Sequence, residues 1–120
     1  MRGLGGCLLG AVLLGCGPSP AEKTEVAREA VRRFFSELPS GDCGVLGPML
    51  AATSGPSCAE RVADWTAHGF SLVEVLDAKV DGRNADAVMV RARVARDGQV
   101  RALPMLLRVE RHPEGWKLRL

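Results

Sequence analysis

The spacing of the apolar residues changes close to Ser71, and this change limits the folds open to the chain. Before Ser71 the apolar residues recur every three or four positions, which is typical of helices with one buried face. After it they alternate with polar residues, which is typical of strands with one buried face. Helices followed by strands pack as an α+β domain. We therefore predict three N-terminal helices packed on one face of a four-stranded antiparallel meander.

Two Ser-x-x-Glu capping boxes mark the starts of the longer predicted helices. The first box begins at Ser19, and the helix that follows it runs to about Leu38. The second box begins at Ser57, and its helix runs to about His68. Between them, Val45 to Ala52 is expected to form a short helix that a central Gly-Pro pair disturbs.

The Asp97-Gly98 pair is typical of a two-residue hairpin turn between the central strands. Such a turn makes Arg96 face Gln99 and fixes the pairing further along the hairpin. Pro104 cannot donate to a strand ladder, so a bulge or an unpaired side is expected there. The four predicted strands are Leu72 to Val80, Asp86 to Arg96, Val100 to Arg111 and Trp116 to Leu120. The predicted apolar pairs are Val88 with Leu107, Val90 with Met105, Ala92 with Leu103 and, across the last turn, Val109 with Leu118.

A stripe of basic residues falls on the opposite face of the predicted sheet. It is a candidate contact for anionic headgroups or for an acidic partner. The alternative is an ordinary solvated face of a one-sided sheet, with Glu110 opposite Lys117 neutralising part of the charge. The residues of the stripe are Arg91, Arg93, Arg108, Lys117 and Arg119.

The N-terminus carries the pattern of an export signal. Arg2 is followed by an uncharged apolar run from Leu4 to Leu14, which is too short to cross a bilayer. Leu13-Leu14-Gly15-Cys16 resembles the box of bacterial lipoprotein signal peptides. The resemblance implies cleavage before Cys16, acylation there and anchoring in a membrane. The alternative is an ordinary signal peptide with an incidental cysteine.

The predicted organisation follows from this box. Residues 1–15 form the signal peptide, residues 16–20 the lipidated cysteine with a short tether, and residues 21–120 a single domain. Gly17, rather than Asp, follows the cysteine, and in the enterobacterial pattern this indicates the outer membrane, with the domain facing the periplasm. The predicted membrane contact is made through Cys16.

The remaining cysteines are expected to pair. Cys7 would leave with the signal peptide and Cys16 would carry lipid, so Cys43 and Cys58 remain in an oxidising compartment. A disulfide between them would close about fifteen residues. The alternatives are two free buried thiols or a redox couple, although no Cys-x-x-Cys spacing supports the latter.

Composition excludes several classes of function. The 16 basic and 14 acidic side chains give no global case for a nucleic-acid partner. Two scattered histidines and no spare cysteine pair give no predicted metal site, and no motif indicates a cofactor. The candidate acid–base residues are Asp42, Asp64 and His68. For Asp42 the alternative role is a helix cap, and for His68 it is a favourable charge at a helix C-terminus.

The domain resembles the nuclear transport factor 2-like superfamily in the small form found in bacterial lipoproteins. The resemblance lies in the segment Ala30 to Phe35, in Ser40-Gly41-Asp42, and in the final-strand entry Glu114 to Leu118. It implies a cone in which a curved sheet and a long helix enclose a pocket. The ketosteroid-isomerase members use a tyrosine, and this chain has none.

Three functions are predicted from these observations, and the third in order of preference is a purely structural component of the cell envelope. The first is a lipid-anchored periplasmic binding or accessory domain of the cell envelope without catalysis, for which a small apolar ligand or an envelope protein is the expected partner. The second is a small pocket enzyme of isomerase or hydrolase type that uses Asp42, Asp64 or His68. A fold of this kind does not by itself decide between them.

Overall fold

The computed structural model describes residues 17–120, so the predicted signal peptide and Cys16 lie outside the described residues. The described chain has three α-helices followed by five strands. The helices are α1 (Pro20–Glu37), α2 (Cys43–Leu46) and α3 (Cys58–Ala67). The strands are β1 (Ser71–Asp81), β2 (Asn84–Arg96), β3 (Gln99–Val100), β4 (Met105–His112) and β5 (Gly115–Arg119).

Helix α1 begins at the predicted capping box. The Ser19 hydroxyl accepts from the Glu22 amide at 3.1 Å, and the Glu22 carboxylate accepts from the Ser19 amide at 2.7 Å. These bonds satisfy amides that have no partner inside the helix. The helix then buries a stripe of side chains against the sheet, namely Ala27, Val31, Phe34 and Phe35.

The second helix differs from the prediction. It begins at Cys43 rather than Val45, because the Asp42 carboxylate accepts from the Gly44 amide at 2.8 Å and starts the helix earlier. It ends at Leu46, and a 3-10 turn over Gly47–Met49 replaces its expected second half. The Gly-Pro pair explains this break, since proline cannot continue the hydrogen-bonding pattern of a helix.

The strands form one antiparallel sheet in the order β1-β2-β4-β5, with β3 paired to β2. The predicted hairpin turn is present: Asp97 and Gly98 have φ of 53° and 77°, as a type I′ turn requires, and Arg96 pairs with Gln99. Strand β1 carries three register shifts along β2. Irregularities of this kind bend a strand and curve the sheet.

The register between β2 and β4 differs from the prediction by two residues. Val88 lies opposite Val109 instead of Leu107, and Leu107 lies opposite Val90. The Arg101 amide still donates to the Val94 carbonyl at 2.9 Å, and residues 102–104 then leave the ladder and absorb the difference. The break splits the predicted third strand into β3 and β4, as Pro104 led us to expect.

The shift also moves one predicted core residue to the surface. Ala92 pairs with Met105 instead of Leu103, and Leu103 is 81% exposed. The shift is by an even number of residues. The remaining residues of β4 that were predicted to lie in the core therefore keep their predicted face. Val109 pairs with Leu118 across the last turn, as predicted.

The predicted α+β architecture is confirmed, with the helices on one face of a curved antiparallel sheet. Alternate residues of β2 form the centre of the core beneath α1: Val88, Val90, Ala92 and Val94. Leu38, Leu46 and Leu118 join them at its margins. Within residues 17–120, no helix is both long and apolar enough to cross a membrane.

Candidate functional site

The space between the helices and the sheet is occupied by large side chains. The Phe34 ring is 1% exposed, and its centroid lies 5.5 Å from that of Phe35 and 5.8 Å from that of Trp65, both edge-on. The Trp65 ring stacks on Phe70 with centroids 4.7 Å apart. Such geometries suit the quadrupoles of aromatic rings. Phe34 and Phe35 belong to the apolar core, Trp65 and Phe70 pack against it, and Phe70 also lines two open clefts.

Asp42 lies at the start of α2 and caps that helix. Its carboxylate accepts from the Gly44 amide, and its own amide donates to the Ser40 hydroxyl at 3.1 Å. Within the described chain no hydrogen bond or ion pair joins Asp42 to Asp64 or His68. The three predicted acid–base candidates therefore do not form one site.

Asp64 and His68 do lie together, one turn apart at the end of α3. The imidazole Nε2 is 3.7 Å from the Asp64 carboxylate, and Nδ1 is 3.5 Å from the carboxylate of Asp97. Both carboxylates are more than half exposed, and both contacts are longer than an ordinary hydrogen bond. The group is therefore a loose electrostatic cluster at the surface.

Asp97 was not among the predicted site residues. It reaches His68 because the hairpin turn folds back onto the end of α3, where the Asp97 amide donates to the His68 carbonyl at 2.7 Å. The sequence marks Asp97 as a turn residue, but its separation from His68 along the chain gives no sign of this contact.

Every arginine of the basic stripe is close to a carboxylate. Arg91 donates to Asp77, with the shortest of three contacts at 2.6 Å, and Arg93 lies 3.7 Å from Glu74. The Arg91 guanidinium lowers the pKa of Asp77 below its ordinary value. Pairs across a sheet face contribute little to stability when exposed. They do reduce the charge that the stripe offers to an external anion.

Arg108 sits between two carboxylates at the other end of the stripe. It donates to Asp81 and to Glu110, each at 2.9 Å. The pKa of Asp81 is lowered, first by the hydrogen bond from the Arg83 amide and then by that from Arg108. Asp81 therefore links the β1–β2 turn to β4.

Glu110 is the centre of this charged network. Its carboxylate accepts from Arg119 at 2.7 and 2.9 Å, from Arg108 at 2.9 Å, and lies 3.1 Å from Nε2 of His112. Its side chain is only 15% exposed. The Arg119 guanidinium, and after it Arg108 and His112, lower the pKa of Glu110 to about 2, against the opposing effect of burial.

Lys117 takes a different partner from the one predicted. It faces Glu110 in the strand register, as expected, but its ammonium donates to the Pro48 carbonyl at 2.7 Å. Arg119 and Arg108, rather than Lys117, therefore neutralise Glu110. The strand register pairs Glu110 with Lys117, so the sequence offers no sign of the contact with Arg119. Arg119 lies two residues further along the same face of β5, and its guanidinium reaches Glu110 with two parallel hydrogen bonds.

Cys43 and Cys58 form the predicted disulfide, with their Cα atoms 6.1 Å apart. Each cysteine is the first residue of its helix, so the bond joins the start of α2 to the start of α3. It closes a segment that has little regular structure, and such segments depend on covalent or capping contacts for order. Among residues 17–120, no group of three or more His, Cys, Asp or Glu side chains is placed to hold a metal ion.

No protein-family model matches the sequence, and a search of curated proteins gave no significant match. A search of solved structures found an NTF2-like protein with a cystatin-like fold from Novosphingobium aromaticivorans, which is similar to this chain with a TM-score of 0.47 and 20% sequence identity. The similarity covers 79% of this chain and 77% of that one. At this level the similarity does not assign a family or an activity.

Proposed function

We propose that the chain is a lipid-anchored, non-catalytic binding or accessory domain of the bacterial cell envelope, of the nuclear transport factor 2-like type. The observation that supports it most is the occupied interior, where the Phe34 ring packs edge-on against Phe35 and Trp65, and Trp65 stacks on Phe70. An enzyme needs a cavity into which ionisable groups converge. Here the candidate groups lie on the outside of the packed core.

The proposed anchor is Cys16, in the outer membrane, with the domain in the periplasm. Ser19, the cap of α1, lies three positions after Cys16, so an extended tether spans at most about 10 Å. At this end of the domain the Lys23 ammonium donates to the Ala85 carbonyl at 2.7 Å. The β1–β2 turn therefore lies beside the tether and faces the membrane in the proposed arrangement.

The anchor is tested on protein expressed with its own N-terminus in a bacterial host. We expect the protein in the membrane fraction, with an intact mass that begins at Cys16 and includes acyl chains. Cys16→Ser is expected to release it to the soluble periplasmic fraction, while Cys7→Ser, in the predicted signal peptide, leaves the membrane form unchanged. A wild-type mass without acyl chains would contradict the anchor.

The occupied interior is tested by native mass spectrometry of the same material. We expect the protein to carry no small molecule after gentle purification. A molecule retained at equal stoichiometry would contradict a filled domain and return the pocket functions to first place.

The second candidate is a small enzyme of isomerase or hydrolase type. The 3.7 Å approach of Asp64 to His68 favours it, since a carboxylate beside an imidazole is an acid–base arrangement. A cleft of about 280 Å³ opens beside the end of α3, but Leu38, Pro39, Thr66, Gly69 and Phe70 line it rather than Asp64 or His68. Hydrolysis of model ester substrates that is lost in His68→Ala, and kept in His112→Ala, would establish this alternative.

A further inference from the structure

A cleft of about 280 Å³ lies at the hairpin end of the sheet, and we call it the hairpin cleft. Its floor consists of Phe70, Val94 and Met105, and its rim consists of Leu103 and Pro104. Leu103 and Pro104 belong to the segment between β3 and β4 that leaves the ladder. The cleft therefore lies where the pairing with β2 is interrupted.

Two arginines, Arg96 and Arg101, line the hairpin cleft and give it a positive charge. Within residues 17–120, Arg101 has no carboxylate within 4.0 Å, unlike the arginines of the basic stripe. Arg96 lies over the Phe70 ring with its guanidinium carbon 5.6 Å from the centroid. This contact holds the charge against the apolar floor.

Arg96 is only partly satisfied by its neighbours. Its Nε is 3.6 Å from the Asp97 carboxylate, a distance for charge attraction rather than for a hydrogen bond. The same Nε is buried and has no hydrogen-bond acceptor in the described chain. The Arg96 side chain is 37% exposed and its guanidinium donates no hydrogen bond within the described chain, so an incoming carboxylate would meet its terminal nitrogens rather than the buried Nε.

A large apolar side chain is exposed at the same cleft. Leu103 lines the cleft two positions after Arg101 and is 81% exposed. Arg93 holds this segment in place, since its guanidinium donates to the carbonyls of Arg101 and Ala102, each at 3.4 Å. An exposed apolar side chain whose segment is held in place, next to an arginine without an ion pair in the described chain, is typical of a binding surface.

We infer that the hairpin cleft docks an extended protein segment in which an apolar side chain neighbours a carboxylate. The apolar side chain fills the cleft between Phe70 and Leu103, and the carboxylate pairs with Arg101. A volume of about 280 Å³ is at the lower limit for small-molecule pockets, and it suits one or two side chains better than a lipid. The inference rests on the proposed function, for which it names the partner chemistry.

The position of the cleft favours a protein over the anchoring membrane. The tether lies beside the start of β2 through the Lys23–Ala85 contact, whereas Arg96 and the cleft lie at its other end. Thirteen residues of strand at about 3.3 Å each separate the two ends by about 40 Å. A domain held on a short tether at one end presents the cleft away from the lipid surface.

The test is a binding measurement on the purified full protein, in detergent if it is acylated. The probe is a short fluorescent peptide of alternating leucine and glutamate, and the matched probe replaces glutamate by lysine. Fluorescence anisotropy is expected to show binding of the acidic probe only, weakened by salt. Arg101→Glu is expected to weaken it about tenfold and to allow the lysine probe to bind. Leu103→Ser is expected to weaken it by a similar factor.

Matched variants control for general effects. Arg33→Glu reverses another exposed arginine without an ion pair in the described chain, and Leu106→Ser changes an exposed leucine on the other face of the sheet. Neither is expected to alter binding. Equal binding of both probes, or an equal loss in Arg33→Glu and Arg101→Glu, would overturn the inference.

A lipid ligand is a separate outcome of the same experiment. Binding to phosphatidylglycerol vesicles that is lost in Arg101→Glu, without binding of the acidic peptide, would replace the protein partner by a membrane and overturn the inference. The peptide assay does not depend on acylation. An unmodified Cys16 would therefore contradict the proposed anchor without changing this result.

Discussion

Glu110 and Arg119 form a bidentate ion pair between β4 and β5, with Nε to Oε2 at 2.7 Å and Nη2 to Oε1 at 2.9 Å. The same carboxylate also accepts from Arg108, so it holds two guanidiniums that would otherwise repel each other. The Arg119 guanidinium additionally donates to the Ala52 carbonyl at 3.1 Å. One side chain thus connects the edge of the sheet to the loop before α3.

Replacement of Glu110 by Gln should destabilise the domain by about 2 kcal/mol, between the values for exposed and buried pairs. The neutral side chain keeps the size of the carboxylate but leaves Arg108 and Arg119 without their shared anion. Urea unfolding at low salt measures the change. Glu114→Gln, in the exposed turn before β5, serves as the control and should have no measurable effect. Equal stability of both variants would show that the network contributes nothing.

The free energy of unfolding should decrease at acid pH because Glu110 becomes protonated. The pKa of Glu110 is lowered from 4.5 to about 2 in the folded protein, so the folded state holds the charged form more tightly than the unfolded state does. Its contribution is complete above about pH 4.5 and is lost as the pH falls towards 2. Asp77 and Asp81, whose pKa values are also lowered, act in the same direction.

Unfolding midpoints measured between about pH 7 and about pH 3 give this profile. The Glu110→Gln variant should lose less stability over this range than the wild type does, because the residue no longer titrates. Parallel profiles for the two proteins would contradict the assignment of the acid sensitivity to Glu110.

Reduction of the Cys43–Cys58 disulfide should lower the free energy of unfolding by about 3 kcal/mol, the expected value for a closed loop of this length. The loss should be greatest around the starts of α2 and α3, which the disulfide joins. Hydrogen exchange with and without reductant locates it. Unchanged protection of α2 after reduction would mean that capping by Asp42 and Ser57 is sufficient to order this region.

Replacement of Phe34 by Ala should cost about 3–5 kcal/mol, because it removes the ring that contacts both Phe35 and Trp65. Tryptophan fluorescence reports the change directly, since Trp65 packs in this cluster and loses its neighbour. Arg33→Ala, one position earlier on the exposed side of α1, is the matched control. A cost below about 1 kcal/mol would mean that the interior is loosely packed.

Much of the local structure was predictable because its causes are local. The boxes at Ser19 and Ser57 start helices by satisfying nearby amides, and Asp97-Gly98 makes the turn because both positions need a positive φ. The second helix was predicted less well. The helix was placed at Val45 from the spacing of apolar residues. Its earlier start at Cys43 depends on the cap at Asp42, to which that spacing is not sensitive.

The candidate site was predicted less completely than the fold. Asp64 and His68 lie together as their one-turn spacing implies, but Asp97 joins them only through the contact between the hairpin and α3. The basic stripe was placed on the correct face, whereas its partners depend on the register and on side-chain reach. Glu110 was expected to meet Lys117 and instead binds Arg119 and Arg108.

The sequence by itself determined the order of helices and strands and the buried face of β2, β4 and β5, and it indicated Cys43 and Cys58 as the cysteines that pair. Each follows from the periodicity of the chain or from counting residues. The tertiary structure decided the register of β4, because an even shift keeps every side chain on its face and the alternating pattern cannot detect it. The segment that absorbs the shift carries Leu103 out of the ladder and to the rim of the hairpin cleft. Packing across the whole domain, which no local pattern encodes, therefore set its most distinctive surface.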